Sequence, residues 1–343
     1  MAKLRDLAKS LGLSVTTVSR ALGGYPEVSE VTRAQVREAA ERMGYHPNPI
    51  AQKLATGRSG MVGLITLRPV RAATDPSLME VLFGLSSALA EHDIDLILRV
   101  GIEQDVVEPY RRLVAKKMVD AFIVNAPSEN DLRVCYLQKH SIPFVMHGRD
   151  KERPDYPFYD MNNFQAGVDS ARYLVELGHR RIAFLNGPEN LSFARDRLRG
   201  LRQVLQGAGI SLPAGFVQHG VMDDSYGYIA AMALLSGLHG PVPTAILCAS
   251  TLIADGVLRA LEERGLTAPG DVSIMAHDDD LPDAKPHPLR ASLTVTRLPM
   301  TAACKPLVTM VLGAIEGDPL EKLQTIAIAE LIVKQTTGPA REA

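Results

Sequence analysis

The 343-residue sequence predicts a small all-α helix-turn-helix headpiece followed by an α/β core of two doubly wound lobes. Two short amphipathic segments flank Gly12 near the N-terminus, joined too tightly for antiparallel packing. From Met61 onward, short apolar runs alternate with amphipathic helices, the pattern of parallel sheet covered on both faces. The charge divides at the same place. Residues 1–60 carry nine Lys and Arg against five Asp and Glu, while the rest of the chain has an acidic excess of six, for a net −2. A basic head on an acidic body is the electrostatic footprint of a small nucleic-acid-binding module on a larger sensing body.

In chain order, the first helix spans about 4–10, with Leu4, Leu7, Ala8 and Leu11 as its apolar side. The second follows Ser14, a good N-cap because its hydroxyl accepts from a free N–H of the first turn. Val18, Ala21 and Leu22 fall at i, i+3 and i+4 on one apolar face. Val15, Thr16, Ser19 and Arg20 form the other face, which carries methyls, hydroxyls and one guanidinium. Those groups suit base edges in a major groove, although helix-turn pairs also serve as plain scaffold. A third helix runs from a Ser29 cap to about Arg42 and closes at Gly44. Tyr45-His46-Pro47-Asn48-Pro49 then breaks the helical pattern. Residues 50–56 follow as a helix too short to be stable alone in water.

In the core, strands are expected at 61–67, 94–100, 121–125, 144–147, 181–186, 244–249, 272–277, 293–296 and 326–333. Helices are expected at 78–91, 106–117, 165–177, 194–208, 226–235, 253–264 and 300–316. That is too many strands for one sheet, so two lobes are predicted. Open parallel sheets bind ligands beyond the carboxyl ends of their strands. This places Asp75-Pro76-Ser77, Arg99, Asn125, His147-Gly148-Arg149, the segment after Asn186, Ser250-Thr251 and His277-Asp278-Asp279 around a cleft.

The run S-x-x-T-V-S-R-x-L at 14–22, with V-S-x-x-T-R at 28–33, G-Y-x-P-N-x-x-A-x-x-L at 44–54 and G-L-I at 63–65, closely resembles the N-terminus of the lactose/galactose-repressor (LacI/GalR) family of transcriptional regulators. The likeness continues more loosely to the C-terminus. It implies a periplasmic-binding-protein-like (type I) core whose hinge is crossed three times, near Asp160, Ser292 and Gln324. The implied divisions are a headpiece at 1–46, a linker with hinge helix at 47–60, and a core at 61–343. Lobe one would hold about 61–160 and 293–324, and lobe two about 161–292 and 325–339. The resemblance implies pseudo-palindromic operator DNA as a partner, contacted by Leu4, Arg5, Ser14, Val15, Thr16, Ser19, Arg20, Gly23, Ser29, Thr32, Tyr45, Asn48, Ala51 and Leu54. Leu54 matches the residue that wedges into the central base step, an apolar insertion of the kind that kinks a duplex from the minor groove. It also implies an effector site at Asp75, Ser77, Arg149, Phe193, Arg197, Met222, Ser250 and Asp278. A guanidinium fork at Arg197 suits vicinal hydroxyls, and a strand-end carboxylate at Asp278 suits hydroxyl donors. Ser250-Thr251 stands where many members have Asn-Asp, so the identity of the ligand does not carry over. The wording L-G-L-S-V-T-T-V-S-R-A-L-G-G-Y-P-E-V and L-C-A-S-T-L-I-A-D-G resembles the branch associated with α-glucoside uptake, which implies a mono- or disaccharide effector.

Other classes find little support. Cys135, Cys248 and Cys304 form neither a metal spacing nor a disulfide framework. No window reaches the length of a membrane span, and the start M-A-K-L-R-D has no leader pattern, so a cytoplasmic location is expected. Nucleophile elbows and Gly-rich phosphate loops are missing, so neither an enzyme nor a cofactor is expected. A homodimer is the expected assembly. The alternative reading is a sugar-binding carrier without a DNA role.

Overall fold

The computed structural model describes residues 3–23, 25–45, 57–66, 76–101, 105–282 and 286–341. Asn48, Ala51, Leu54, Asp75 and the expected linker helix lie outside the described residues. The chain divides into two compact units, Met1–Gly60 and Met61–Ala343.

The first unit contains helices α1 (Leu4–Leu11), α2 (Val15–Leu22) and α3 (Glu30–Arg42). Gly12 ends α1 in the left-handed region at φ 64°, which a side chain would resist. Ser14 caps α2, its Oγ accepting from the Thr17 N–H at 3.0 Å. Ser29 caps α3 in the same way, accepting from the Thr32 N–H at 3.2 Å. Leu7, Ala8, Val18, Ala21, Val36, Ala39 and Ala40 close a small core between the three helices.

In the second unit, the described residues form two six-stranded sheets. The first is built from β1 (Met61–Thr66), β2 (Asp95–Val100), β3 (Ala121–Asn125), β4 (Phe144–His147), β5 (Phe158–Met161) and β11 (Gln324–Ala327), in the order β11-β5-β4-β3-β1-β2. The pairings in this sheet are parallel. Helices α4 (Pro76–Ala90) and α11 (Cys304–Glu316) cover one face. Helices α5 (Glu108–Ala115) and α6 (Leu132–Lys139) cover the other. The second sheet joins β6 (Ile182–Asn186), β7 (Val217–His219), β8 (Ala245–Cys248), β9 (Ser273–Asp278), β10 (Thr294–Arg297) and β12 (Glu330–Ile332), in the order β12-β10-β9-β8-β6-β7. Only β12 runs antiparallel, against β10. Helices α7 (Asn163–Glu176), α8 (Ser192–Gly207), α9 (Asp224–Leu235) and α10 (Thr251–Glu263) bury their apolar faces against this sheet.

Two expected crossings move. β10 belongs to the second sheet, where Val295 pairs with Ala276 and is buried, so the chain returns to lobe one after Arg297 rather than near Ser292. Leu298 still donates to the Asp278 carbonyl, but Pro299 after it has no N–H with which to extend the ladder. The expected strand at 326–333 is two strands, β11 in lobe one and β12 in lobe two, so the last crossing lies between Ala327 and Glu330 rather than at Gln324. The first crossing lies between β5 and α7, just beyond Asp160. Strands β5 and β7 and helix α6 had no counterpart in the sequence pattern.

Candidate DNA-reading surface and ligand cleft

In the first unit, α2 turns Val18 and Ala21 inward and leaves Val15, Thr16, Ser19 and Arg20 exposed, as the helical period requires. Arg5 on α1 is exposed as well. Ser14 and Ser29 each spend an oxygen on their caps, and each hydroxyl also lies 2.8 Å from a threonine hydroxyl, those of Thr17 and Thr32. Gly23 sits against the Tyr25 ring, where an added Cβ would meet a ring carbon at 2.9 Å. Leu4 and Tyr45 are half-buried against the headpiece core, so their side chains serve packing first.

In the second unit, the carboxyl ends of the strands face a cleft of about 2000 Å³. Sites for drug-sized ligands run to roughly 300–1,000 Å³, so the cleft leaves room for more than one sugar ring. Ser77, Arg149, Phe193, Arg197, Met222 and Ser250 all line it. Arg197 is buried on α8. Its Nε donates to Asn163 Oδ1 at 2.9 Å and its Nη1 to the Ala249 carbonyl at 2.8 Å. The guanidinium carbon stands 5.3 Å from the centre of the Phe193 ring, within cation–π range. Phe193 and Met222 converge on Gly187, where a Cβ would meet the ring at 2.7 Å and the Met222 sulfur at 3.2 Å. Ser250 caps α10 by accepting from the Ile253 N–H at 3.2 Å, which leaves its O–H as a donor. Arg99, on the edge strand β2, does not line the cleft.

Asp278 is also absent from the cleft. Its Oδ1 accepts from the Asp280 N–H at 2.9 Å, and its other oxygen lies 3.6 Å from Arg297 Nε. It is a loop cap, and Asp279 takes the place expected of it. Side chains alternate along β9, so buried His277 and the residues beside it cannot face the same way. Asp279 lies 3.2 Å from His277 Nε2. Burial alone would raise its pKa, but His277, Arg197 and His147 together hold it below the usual carboxylate range. His147, half-buried at the end of β4, is pushed down to about 4 by desolvation, with Asp279 opposing.

The pattern reading also missed two polar residues at the first crossing. Asp160 accepts from Arg149 Nε at 2.7 Å, yet burial outweighs that partner and pushes its carboxyl up to about 6. Asn163 bonds both Arg197 and Asp160. An amide at the first position of a helix gives no sign in sequence that it turns inward. Asn125, read from its place at a strand end, lines the cleft, and its Oδ1 is buried without a partner among the described residues. At the cleft edge the lobes touch directly: Ser192 Oγ donates to the Pro127 carbonyl at 3.0 Å, and Arg195 pairs with Glu129 at 2.9 Å.

This geometry has close counterparts. Residues 3–48 match the family described as bacterial regulatory proteins, lacI family. Residues 60–315 match periplasmic binding proteins and sugar binding domain of LacI family. The HTH-type transcriptional regulator AglR of Rhizobium meliloti (strain 1021) is 44% identical over 342 residues, covering 98% of this chain and 94% of its own. The HTH-type transcriptional regulator RafR of Escherichia coli is 35% identical over 276 residues, 80% of this chain and 81% of its own. Among solved structures, the lac repressor dimer bound to operator and the anti-inducer ONPF superposes with a TM-score of 0.80 at 25% identity, covering 98% of this chain and 99% of that one. The transcriptional regulator CelR–cellobiose complex superposes with a TM-score of 0.70 at 25% identity, covering 98% and 100%. Among the described residues no helix is long and apolar enough to cross a membrane. A headpiece that matches over its whole length sets aside the carrier alternative, and with both units matched in order the chain belongs to the LacI family of DNA-binding, sugar-responsive transcriptional regulators.

Proposed function

We propose that this regulator is a cytoplasmic repressor of carbohydrate uptake or catabolism genes, released or tightened on its operator by a neutral sugar bound between the core lobes. The observation that carries the reading is the grouping of Phe193, Arg197 and Asp279 in one cleft. An aromatic face suits the apolar side of a pyranose ring, a guanidinium fork donates to vicinal hydroxyls, and a carboxylate accepts from them. The cleft has no excess of positive charge: Arg149 is paired with Asp160, Arg197 shares the cleft with Asp279, and carboxylates outnumber arginines along its lining. With no positive excess, a neutral polyol fits better than a sugar phosphate. Likeness to the α-glucoside branch, and the cellobiose bound to CelR, support one or two sugar rings. Ser77, Arg149, Met222, Ser250 and Asn125 would complete the contacts, with Asp279 replacing Asp278. We read no catalytic step in the cleft.

On the DNA side, Val15, Thr16, Ser19 and Arg20 would read base edges, while Ser14, Gly23, Ser29 and Thr32 would hold the phosphate backbone. Backbone contacts set register and base contacts set sequence. A homodimer would present two headpieces to two half-sites. Exposed Phe83 on α4 and Leu98 and Val100 on neighbouring β2 offer apolar surface for it. A sugar that prefers one lobe arrangement by about 1–3 kcal/mol suffices to switch such a dimer.

The test is a calorimetric panel on the full chain with glucose, maltose, sucrose, trehalose and glucose 6-phosphate. Binding of at least one neutral sugar, with glucose 6-phosphate weaker than glucose, is expected. Preference for the phosphate ester would contradict the charge argument.

A further inference from the structure

The first interlobe crossing carries an unbroken run of buried polar contacts between two cleft arginines that belong to different lobes. Arg149, in the loop after β4, donates from Nε to Asp160 Oδ2 at 2.7 Å. Asp160 lies on β5 in lobe one. Asn163, in the first turn of α7 in lobe two, donates from Nδ2 to Asp160 Oδ1 at 3.4 Å and to the Met161 carbonyl at 3.1 Å. Its Oδ1 accepts from Arg197 Nε at 2.9 Å. Asp160, Asn163 and Arg197 are each buried. The Asn163 amide has only one workable orientation here, because flipping it would set its oxygen against a carboxylate and its NH₂ against a guanidinium. Each end of the amide therefore reports to a different lobe.

Buried networks of this kind are rigid when every member is satisfied, since moving one member leaves the next unpaired in a low dielectric. The backbone beneath is the strand that leaves lobe one and the helix that enters lobe two. Any change in the angle between the lobes must pass through residues 161–163, between the two sides of the amide.

We propose that Asn163 is a positioning residue that locks Arg149 and Arg197 into one unit across the hinge, so that a ligand held by these arginines sets the angle between the lobes. The proposal rests on the reading that a sugar binds in the cleft. Without the Asn163 link, each arginine still lines the cleft, but the buried connection between them is lost and only the Ser192 and Arg195 contacts at the cleft edge still join α8 to lobe one. Asn163 then governs the size of the regulatory response, separately from ligand affinity.

Two measurements on the full chain test it. In the first, without sugar, amide hydrogen exchange is compared between wild type and Asp160→Asn, an isosteric change that removes the charge. Arg195 on α8 also reaches lobe one directly, donating to the Asp150 carbonyl at 3.4 Å and pairing with Glu129, so the comparison is repeated in an Arg195→Ala background. The link predicts faster exchange both at 148–152 in lobe one and at 193–199 on α8 in lobe two with Arg195 removed; change then confined to lobe one overturns it. In the second, operator affinity is read by fluorescence anisotropy with and without saturating maltose, sucrose or trehalose. Asn163→Ala should lose at least about fivefold of the wild-type sugar response even at saturation. Asn163→Asp keeps the acceptor for Arg197 but loses the donor to Asp160, and should bind sugar with wild-type affinity while still lacking the response. A full response from Asn163→Ala at saturating sugar overturns the proposal, because the residue would then affect affinity alone. A wild type that ignores every sugar while exchange still spreads to α8 would remove the proposed effector and leave the hinge link standing. Exchange confined to lobe one beside an intact sugar response would do the reverse.

Discussion

Replacing Gly167 by alanine puts a methyl group into the backbone of the helix that carries Arg197. An added Cβ at Gly167 on α7 would lie 2.2 Å from the Arg197 carbonyl oxygen and 3.0 Å from its Cα. Gly200 on α8 faces the Phe164 carbonyl of α7 at the same 2.2 Å, so the two helices meet backbone to backbone. Relieving such a contact requires α8 to retreat by about 1 Å, because the partner is main chain and has no rotamer to change. Two effects oppose each other. Alanine in a helix interior is favoured over glycine by roughly 0.5–1 kcal/mol. Overpacking a tight interface costs about 1–3 kcal/mol, and more when backbone must shift. The clash should win, lowering stability by about 1–2 kcal/mol net. The same displacement draws the guanidinium away from Asn163 and the Ala249 carbonyl. Sugar affinity should therefore fall by about tenfold or more, equivalent to roughly 1.4 kcal/mol, while operator affinity without sugar stays near wild type. Gly207, at the end of α8 with nothing within 4 Å of its added Cβ, is the control; Gly207→Ala should be neutral or slightly stabilising. Thermal unfolding and titration calorimetry read both quantities. Wild-type stability and sugar affinity in Gly167→Ala would refute the idea that glycine-mediated packing seats Arg197.

Arg20→Ala should cost about 1–3 kcal/mol on the operator and relax base choice at one position, with random DNA little affected; equal loss on specific and random fragments, measured by competition binding, would assign Arg20 to phosphate. Ser14→Ala removes the cap of α2 and should destabilise the headpiece by about 1 kcal/mol, read as earlier loss of helical circular dichroism, with a smaller loss in Ser14→Asn. Asp160 has a pKa raised by burial to about 6 in the folded chain, above its ordinary 3.8. The folded state therefore takes up the proton more readily, and its contribution to stability is present at low pH and lost as pH rises through about 6. Denaturant unfolding should show wild type gaining on Asp160→Asn as pH falls from 7 toward 4. A difference independent of pH would mean that the Arg149 pairing fully offsets burial.

The headpiece was legible in detail because its rules are local. A Ser cap, a Gly stop and a 3.6-residue apolar period settle which side of α2 is buried, and Val18 and Ala21 follow. The strand ends around the cleft were legible for a similar reason: a parallel sheet gathers its carboxyl ends wherever the lobes sit, and Asn125, Arg149 and Ser250 all line the cleft. What failed depended on parity and pairing. Asp278 and Asp279 differ by a single step of strand alternation, and a run of three aspartates hides which step faces in. Helix α6 escaped notice because its inner face includes Arg133, buried against Asp131 at its cap, where a periodicity search expects an apolar residue. Strands β5 and β7 are four and three residues long, below the length at which alternation shows. The crossing after β10 moved because Leu293 and Val295 fit either sheet by composition, and only the pairing with β9 decides between them. Asn163 carries no sequence signal for an inward role, since asparagine at a helix start is usually explained by capping.

The most direct measurement is operator binding by the full-length chain, read by anisotropy against genomic fragments and bulk DNA, with and without α-glucosides. The account predicts clear preference for a pseudo-palindromic fragment and a change in that affinity of about tenfold or more when the sugar is added. Equal affinity for every fragment, unmoved by any sugar, would contradict it.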